Sequence, residues 1–350
     1  MKQNVWLIIM AGGVGSRFWP VSTEEKPKQF LDMLGIGKTL FQQTIDRFKD
    51  ICPKENILVV TSQKYNDIVK EQCPELPCAN ILAEPFMRNT APCIAYACYK
   101  IKTKDPQATI VVTPADHLIL ETDIFQQAIN NGIEFVKSKP AILTLGVRPL
   151  HPETGYGYIQ MTDKDENFTK VSAFKEKPDR ATAEAYLEAG GFLWNAGIFL
   201  WKNDTIISAF EKYNPKMAKT FSEGESVYYT DREQDFINTI YTDCENISID
   251  YCIMEKADNL YVSEARFQWS DLGTWSSLWE KADKNLQGNS SSTQKTSFYD
   301  SSNNIVYVDS QKKVVIQGLN DFIIVDANNV LLICSKKEEQ RIKDFRNENK

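Results

Sequence analysis

Histidine is nearly absent from this 350-residue chain, which carries only His117 and His151. The eight cysteines, at 52, 73, 78, 93, 98, 244, 252 and 334, include no CxxC pair, so the usual zinc-site spacings are missing and reduced thiols are expected. Cys93 and Cys98 fit core packing better than metal binding, because Pro92, Ile94, Cys98 and Ile101 share one apolar helix face. No apolar run reaches the roughly 18–20 residues of a membrane span. The opening MKQNVWLIIMAGG lacks the length and the small-residue cleavage site of a secretory signal, so a cytoplasmic protein without membrane contact is expected. Lysine and arginine form no block, and 40 basic against 47 acidic residues leave a net charge of −7, which makes nucleic acid a poor partner. An anionic substrate would need local cations or a metal.

What is present is an ordinary globular balance, 42% apolar and 25% charged, which excludes disordered, collagen-like and coiled-coil classes. At roughly 150 residues per domain, two domains are expected. VWLIIMA (5–11), ILVVT (57–61), IVVT (110–113) and AILTLGV (141–147) are continuous apolar runs. Amphipathic segments separate them: one from Leu40 to Phe48, one starting at Thr90 as N-cap, and one through Phe125, Ile129, Ile133 and Val136. Such strands, buried on both faces with helices between, predict a mostly parallel α/β sheet. Residues 155–202 read as more β-rich, with a helix over 179–189, and suggest an inserted second wall beside the sheet. Residues 286–297, polar and serine-rich, read as a linker between a domain of residues 1–285 and a small one of 298–350. The last holds four short strands and a charged helix, and needs a partner surface on the main domain or a second subunit.

The densest chemical signal is AGGVGSRFWPVSTEEKPKQF (11–30), which follows the first strand. Gly12, Gly13 and Gly15 let backbone amides approach an oxygen-rich anion. The dinucleotide pattern GxGxxG fits Gly13 and Gly15 but needs a small residue where Phe18 stands, and the GxxxxGK[ST] pattern fails at Arg17 and Phe18. There remains a glycine loop with two cations, Arg17 and Lys28, suited to a nucleoside triphosphate.

AGGVGSRFWPVS with EKPKQF resembles the signature loop of the sugar-nucleotide pyrophosphorylases, in the form seen in mannose-1-phosphate guanylyltransferases. EPFMRNTAP, TPADH, PETGYGYI, FKEKPD, FLWNAGIF, SIDYCIMEK and WSDLGTWSSLWE follow in the family's order, over about residues 5–335. Ser16, Phe18 and Cys93 are mild departures that remove no charged group. The resemblance implies a Rossmann-like nucleotidyltransferase domain of GT-A type with a small C-terminal β domain.

Asp116 follows the strand IVVT, and ligands of open parallel sheets bind outside the strand carboxyl ends. Mg²⁺ takes one or two carboxylates plus phosphates and water. The resemblance puts the second carboxylate at Asp271, in a loop anchored by aromatics at 269 and 275 with Gly273 freeing the backbone. No catalytic base is required, since a sugar phosphate is already mainly dianionic at neutral pH. His117 therefore reads as structural or phosphate-facing, and His151 as a loop residue. Strand alternation points Glu176 and Lys177 to opposite faces. The family uses this lysine for the sugar phosphate, the glutamate for sugar hydroxyls, Gly157 for backbone contacts and Asn195 in the sugar site; the alternative for Asn195 is a satisfied amide inside a β-rich wall. An ionised Glu84 could accept guanine N1–H and N2–H, while uracil or thymine would present it a carbonyl. Arg88, Asn89 and Thr90 would complete the nucleotide site at a helix start.

The expected activity is Mg²⁺-dependent transfer of GMP from GTP to α-D-mannose 1-phosphate by direct in-line attack. Arg17, Lys28, Asp116, Lys177 and Asp271 are its expected catalytic residues. The alternatives are the same reaction with another sugar 1-phosphate or nucleotide, and a non-catalytic sugar-nucleotide-binding regulatory subunit. Phosphomannose isomerase activity is not expected, for want of a histidine cluster. The β tail is compatible with a homo-oligomer.

Overall fold

A computed structural model describes residues 4–13, 15–162, 167–309 and 312–348. The chain forms two compact units: Met1–Gly12, Ile45–Ala115 and Ile119–Trp269 make the first, and Gly13–Thr44, Asp116–Leu118 and Ser270–Lys350 the second. Among the described residues no helix is long and apolar enough to cross a membrane.

In chain order the strands are β1 (Val5–Met10), β2 (Ile57–Ser62), β3 (Ile81–Glu84), β4 (Thr109–Pro114), β5 (Leu118–Ile119), β6 (Ile142–Val147), β7 (Tyr158–Met161), β8 (Thr169–Lys175), β9 (Phe192–Lys202), β10 (Leu260–Glu264) and β11 (Trp269–Ser270). Nine of them build the sheet of the first unit, in the order β3-β2-β1-β4-β9-β6-β10-β8-β7, while the two-residue β5 and β11 pair with each other. From β3 to β4 every pairing is parallel, as is β10 with β6. The α/β class is as expected, and the continuous apolar runs do mark strands buried on both faces. The sheet is mixed because β9 runs antiparallel between β4 and β6.

β9 also corrects the expected second wall. FLWNAGIFLWK pairs with β4, β6 and β7, so residues 155–202 extend the main sheet. Its burial on both faces over Phe199–Trp201 is what a central strand requires. The helix Thr90–Lys104 is likewise more enclosed than its expected single apolar face, since every residue from Ala91 to Ile101 is buried. Cys93 and Cys98 lie in that core, and all eight cysteines are unbridged.

In the second unit β12 (Ser290–Ser291), β14 (Ile305–Val308) and β16 (Phe322–Ala327) stack in parallel, β17 (Val330–Ser335) returns antiparallel on β16, and β13 (Thr296–Tyr299) pairs in parallel with β15 (Val314–Gln317). Ile305 lies beside Ile323 and Thr296 beside Val314, the repeating register of a β-helix. Residues 286–297 therefore do not form a free linker: β12 and the start of β13 lie within them. Their serines and asparagines stay polar because the coil corners use them. Asn304, fully buried, donates from Nδ2 to Asn289 Oδ1 at 2.9 Å and to the Leu319 carbonyl at 2.7 Å, and its Oδ1 accepts from the Phe322 amide at 2.9 Å.

The strands expected to need a partner surface find one inside their own unit. Ile305, Ile323, Val325, Leu332, Cys334 and Ile342 share a core with Phe18, Leu40, Leu272, Trp275 and Leu278. Phe18 meets Trp275 edge-on at 5.0 Å, and Trp275 lies 5.7 Å from Tyr307. The segment after the glycine loop and the segment WSDLGTWSSLWE are thus fastened to the β-helix by one apolar cluster.

Candidate active site

Lys28 organises the charged cluster of the second unit. It sits in the short 3₁₀ turn Lys28–Phe30 and is only 4% exposed. An ammonium so enclosed needs acceptors for its protons. It donates to the Asp271 carbonyl at 2.7 Å and the Leu272 carbonyl at 3.1 Å, and forms an ion pair with Asp116 Oδ2 at 2.8 Å. Gly15, at φ 65°, permits this placement, because a Cβ there would lie 2.6 Å from Lys28 Cβ. Gln29 fixes the loop from the other side by donating to the Gly13 carbonyl at 3.2 Å. Arg17 is exposed on the turn Ser16–Phe18.

Burial alone would raise Asp116, but the Lys28 ammonium opposes it, with His117 adding to the effect, and the carboxyl is held below its usual value. His117 Nε2 stands 3.8 Å from Asp116 Oδ1, which favours the structural reading of this residue. The loop at Asp271 differs in detail from expectation. Leu272, at φ 46°, takes the left-handed backbone. Gly273 is required for space instead: its amide donates to Asp271 Oδ1 at 2.9 Å, and a Cβ would lie 2.7 Å from Oδ2.

Lys28 thus draws Asp116 and the backbone of Asp271 to one point, where a cation already sits among hard oxygen acceptors. Among the described residues no group of three or more His, Cys, Asp or Glu side chains is placed to hold a metal ion, so a closed protein cage for one is lacking. Asp116 and Asp271 are carboxylates of the kind Mg²⁺ takes when its remaining ligands come from phosphates and water.

A second cluster lies in the first unit. Lys177 Nζ and Glu176 Oε1 are 2.6 Å apart. Alternation had put these side chains on opposite faces, but both lie beyond the end of β8, and Lys177 at φ 45° reverses the chain so that they meet. Gly157 gives Glu176 its room, since a Cβ there would lie 2.6 Å from Oε2. Asn195 donates its backbone amide to the Gly157 carbonyl at 2.8 Å. Its side chain is satisfied: Oδ1 accepts from Thr144 Oγ1 and the Gly197 amide, each at 3.1 Å, and Nδ2 donates to Asp250 Oδ1 at 3.1 Å. Sequence reasoning passed over Asp250, although it stands in SIDYCIMEK. It opens the π-helical turn Asp250–Met254, and an ionisable residue in an otherwise apolar segment was the signal available.

Glu84 ends β3, only 8% exposed, and its Oε1 accepts the Tyr241 hydroxyl at 2.8 Å. Arg88 does not approach Glu84 as a counter-charge; it donates to the carbonyls of Tyr241 at 3.3 Å and Thr242 at 3.0 Å. The helix N-cap is Asn89, at φ 67°, whose side chain accepts from the Thr90 amide at 2.9 Å. Thr90, expected to cap, instead accepts the Ile249 amide on its hydroxyl at 2.9 Å. Segments 84–91 and 241–249 are therefore laced together.

Burial pushes Glu84 up to about 7, with the Tyr241 hydrogen bond opposing. The carboxyl ionises near pH 4.3 when unfolded. Between those values only the unfolded state releases the proton, so this group makes stability fall as pH rises through the window and adds no slope above it. A Glu84→Gln chain is expected to gain stability relative to wild type, on the order of 3 kcal/mol, between pH 4.5 and 7.5. Urea unfolding of both chains at each pH measures this, and a constant difference would contradict the buried carboxyl.

Residues 7–288 match the nucleotidyl transferase family, and residues 298–347 match the MannoseP isomerase/GMP-like β-helix domain. The chain is 35% identical over 352 residues to mannose-1-phosphate guanylyltransferase 2 of Escherichia coli O157:H7, covering 96% of this chain and 71% of that protein. It is 36% identical over 345 residues to the alginate biosynthesis protein AlgA of Pseudomonas syringae pv. tomato, covering 97% and 70%. Its fold superposes on a Thermus thermophilus structure described as mannose-1-phosphate geranyltransferase with a TM-score of 0.88 at 26% identity, over 99% of both chains. With its glycine loop, its lysine–carboxylate junction and its β-helix in the family's order, the chain belongs to the nucleotidyl transferase family, among the mannose-1-phosphate guanylyltransferases.

Proposed function

We propose that this chain transfers GMP from GTP to α-D-mannose 1-phosphate, releasing pyrophosphate and GDP-mannose, with Mg²⁺ as cofactor. The observation that carries the reading is the enclosed Lys28 ammonium bound to Asp116 and to the backbone of Asp271 and Leu272. A buried cation tied to a carboxylate in a glycine loop suits an oligophosphate.

In the reaction the sugar phosphate oxygen attacks the α-phosphorus in line, and pyrophosphate departs opposite it. The bond formed is phosphate oxygen to α-phosphorus and the bond broken is α-phosphorus to the bridging oxygen, whose electron pair leaves with pyrophosphate. No proton need be removed from the nucleophile. Alignment and charge neutralisation are the protein's tasks. Arg17 and Lys28 neutralise phosphate oxygens, Lys177 holds the sugar phosphate, and Glu176, Asn195 and the Gly157 backbone bind the sugar. Asp116 and Asp271 would hold Mg²⁺, which when bound supplies charge stabilisation for the phosphates. Glu84, Arg88, Asn89 and Thr90 make the guanosine side, where the Tyr241 hydrogen bond fixes the plane of the Glu84 carboxyl.

The test is pyrophosphate release across four nucleoside triphosphates and the 1-phosphates of mannose, glucose and N-acetylglucosamine, with and without Mg²⁺. Signal confined to GTP with mannose 1-phosphate and Mg²⁺ is expected. Turnover with another pair keeps the reaction type and overturns the specificity; none at all would restore the non-catalytic binding subunit.

A further inference from the structure

Between Gly15 and Lys28 the chain leaves the charged cluster and returns to it, and the outer part of this loop, Glu24 to Lys26, is exposed. Arg17 is exposed as well, so the backbone of the loop, rather than packing of its own side chain, sets where its guanidinium stands. Short-range bonds stiffen the loop: the Val21 and Ser22 amides donate to the Phe18 carbonyl at 2.9 and 3.0 Å, and the Thr23 amide donates to the Lys26 carbonyl at 3.1 Å. Its place in the second unit is fixed from far along the chain. Phe18 enters the apolar cluster of the β-helix. The Pro20 carbonyl accepts Asn328 Nδ2 at 2.9 Å, and Asn328 opens the two-residue turn between β16 and β17. Arg346, in the helix Ile342–Glu348, donates from Nη2 to Glu24 Oε1 at 2.5 Å, although the two lie 322 positions apart. The Arg346 side chain is only 13% exposed, and Ile342 and Phe345 of the same helix pack into the cluster that holds Phe18. This pair is therefore better shielded than an ordinary surface ion pair.

We infer that Asn328 and Arg346 are positioning residues of the proposed reaction, holding the loop from Phe18 to Lys26 against the β-helix so that Arg17 stays in place for the triphosphate. The inference rests on the reading of Arg17 and the glycine loop as the triphosphate site. A loop released at its outer end samples many conformers, and ordering it costs conformational entropy. The nucleotide must then select the ordered conformer, and its apparent affinity falls with the fraction of chains that hold it. Once GTP is bound the loop is the same, so the chemical step is untouched.

Asn328 allows a clean deletion. At φ 50° it already has the left-handed backbone that glycine adopts freely, so Asn328→Gly removes the donor and keeps the turn. Arg346→Gln and Glu24→Gln each remove one charge of the pair. Each of the three is expected to raise the KM for GTP by about threefold to tenfold, with kcat and the KM for mannose 1-phosphate within about twofold. Arg346→Gln combined with Glu24→Gln should cost no more than either alone, because both remove the same bond. Hydrogen exchange gives a readout independent of turnover: without ligand, the amides from Phe18 to Lys26 should exchange faster in each variant, while those of β1 stay as in wild type. A merely structural role would instead lower kcat through loss of folded enzyme, speed exchange in β1 too and leave the KM for GTP unchanged. That pattern, additive losses for the pair, or faster loop exchange with an unchanged KM for GTP would overturn the assignment. Unchanged loop exchange overturns this role alone, whereas wild type that turns over no GTP overturns the proposed function and this role with it, before any variant is compared.

Discussion

Replacing Lys28 by methionine is expected to lower kcat by about 10²–10³-fold, the range seen when one preorganised donor to a developing negative charge is removed. The KM values should change far less, because the ammonium acts mainly on charge that appears as pyrophosphate leaves. The substitution keeps the length of the buried stem and removes only the charged end, so it isolates the electrostatics from the packing against Phe18, whose ring centre lies 5.9 Å from Nζ. It also leaves the Asp116 carboxylate and two carbonyls without their donor. Asp116 then loses the cation that opposes its burial, and its pKa should rise. Activity remaining in the variant is therefore expected to fall off at higher pH on the acid side than in wild type. Steady-state kinetics from pH 5 to 9 read both effects, and an unchanged kcat would remove Lys28 from the mechanism.

The largest effect on stability is expected far from that chemistry, at Lys100. Its ammonium lies against Glu233 at 2.6 and 2.8 Å and the Ala79 carbonyl at 2.7 Å, with the lysine and glutamate side chains only 3% and 10% exposed. Glu233 in turn accepts the Tyr96 hydroxyl at 2.7 Å and the Tyr229 amide at 2.6 Å. Burial pulls Lys100 down, and Glu233 pulls it back up without fully offsetting the loss of water. Lys100→Met should cost about 3–5 kcal/mol, because it leaves a carboxylate enclosed and uncompensated. Lys100→Met with Glu233→Gln should recover a large part of that loss, since the amide oxygen can accept the Tyr229 amide while the Tyr96 hydroxyl, which bonds the other carboxylate oxygen, can turn to accept from the amide nitrogen. Urea unfolding of the single and double variants measures both. A single variant as stable as wild type would mean that Glu233 finds another cation or water.

Part of this molecule was legible because a single residue type or a local run decided it. VWLIIM, TIVVTP and ILTLGV had to be strands buried on both faces, since no surface strand tolerates such runs without a polar alternation. Gly15 and Lys28 pointed to an anion loop through backbone freedom and fixed charge, and the structure adds that the glycine exists to let the lysine pack against it. Asn195 was readable either as a ligand residue or as a satisfied amide; its bonds to Thr144, Gly197 and Asp250 show that it is satisfied and, by the same contacts, oriented.

What escaped the sequence was long-range. β9 looked like part of a separate wall because it falls in the β-rich stretch 155–202, and only its pairing with β4 and β6 shows it to be central. The serine-rich residues near 290 looked like a linker because coil corners bury asparagine and serine against backbone groups, a use of polarity that composition does not distinguish from solvation. Glu176 and Lys177 were assigned opposite faces by a strand rule that no longer applies once Lys177 turns to φ 45°.

The amino-acid sequence by itself determined the α/β class, the anion-binding character of the first loop and the ordered motifs of the family, because these depend on residue type at short spacing. Only the tertiary structure decided that the Asp271 loop and the β-helix share one core with Phe18, that Glu84 faces Tyr241, and that Asp250 holds the Asn195 amide. Those placements join residues far apart in the chain, 157 positions in the case of Glu84 and Tyr241, and such contacts follow from packing and hydrogen-bond satisfaction in three dimensions rather than from any local pattern.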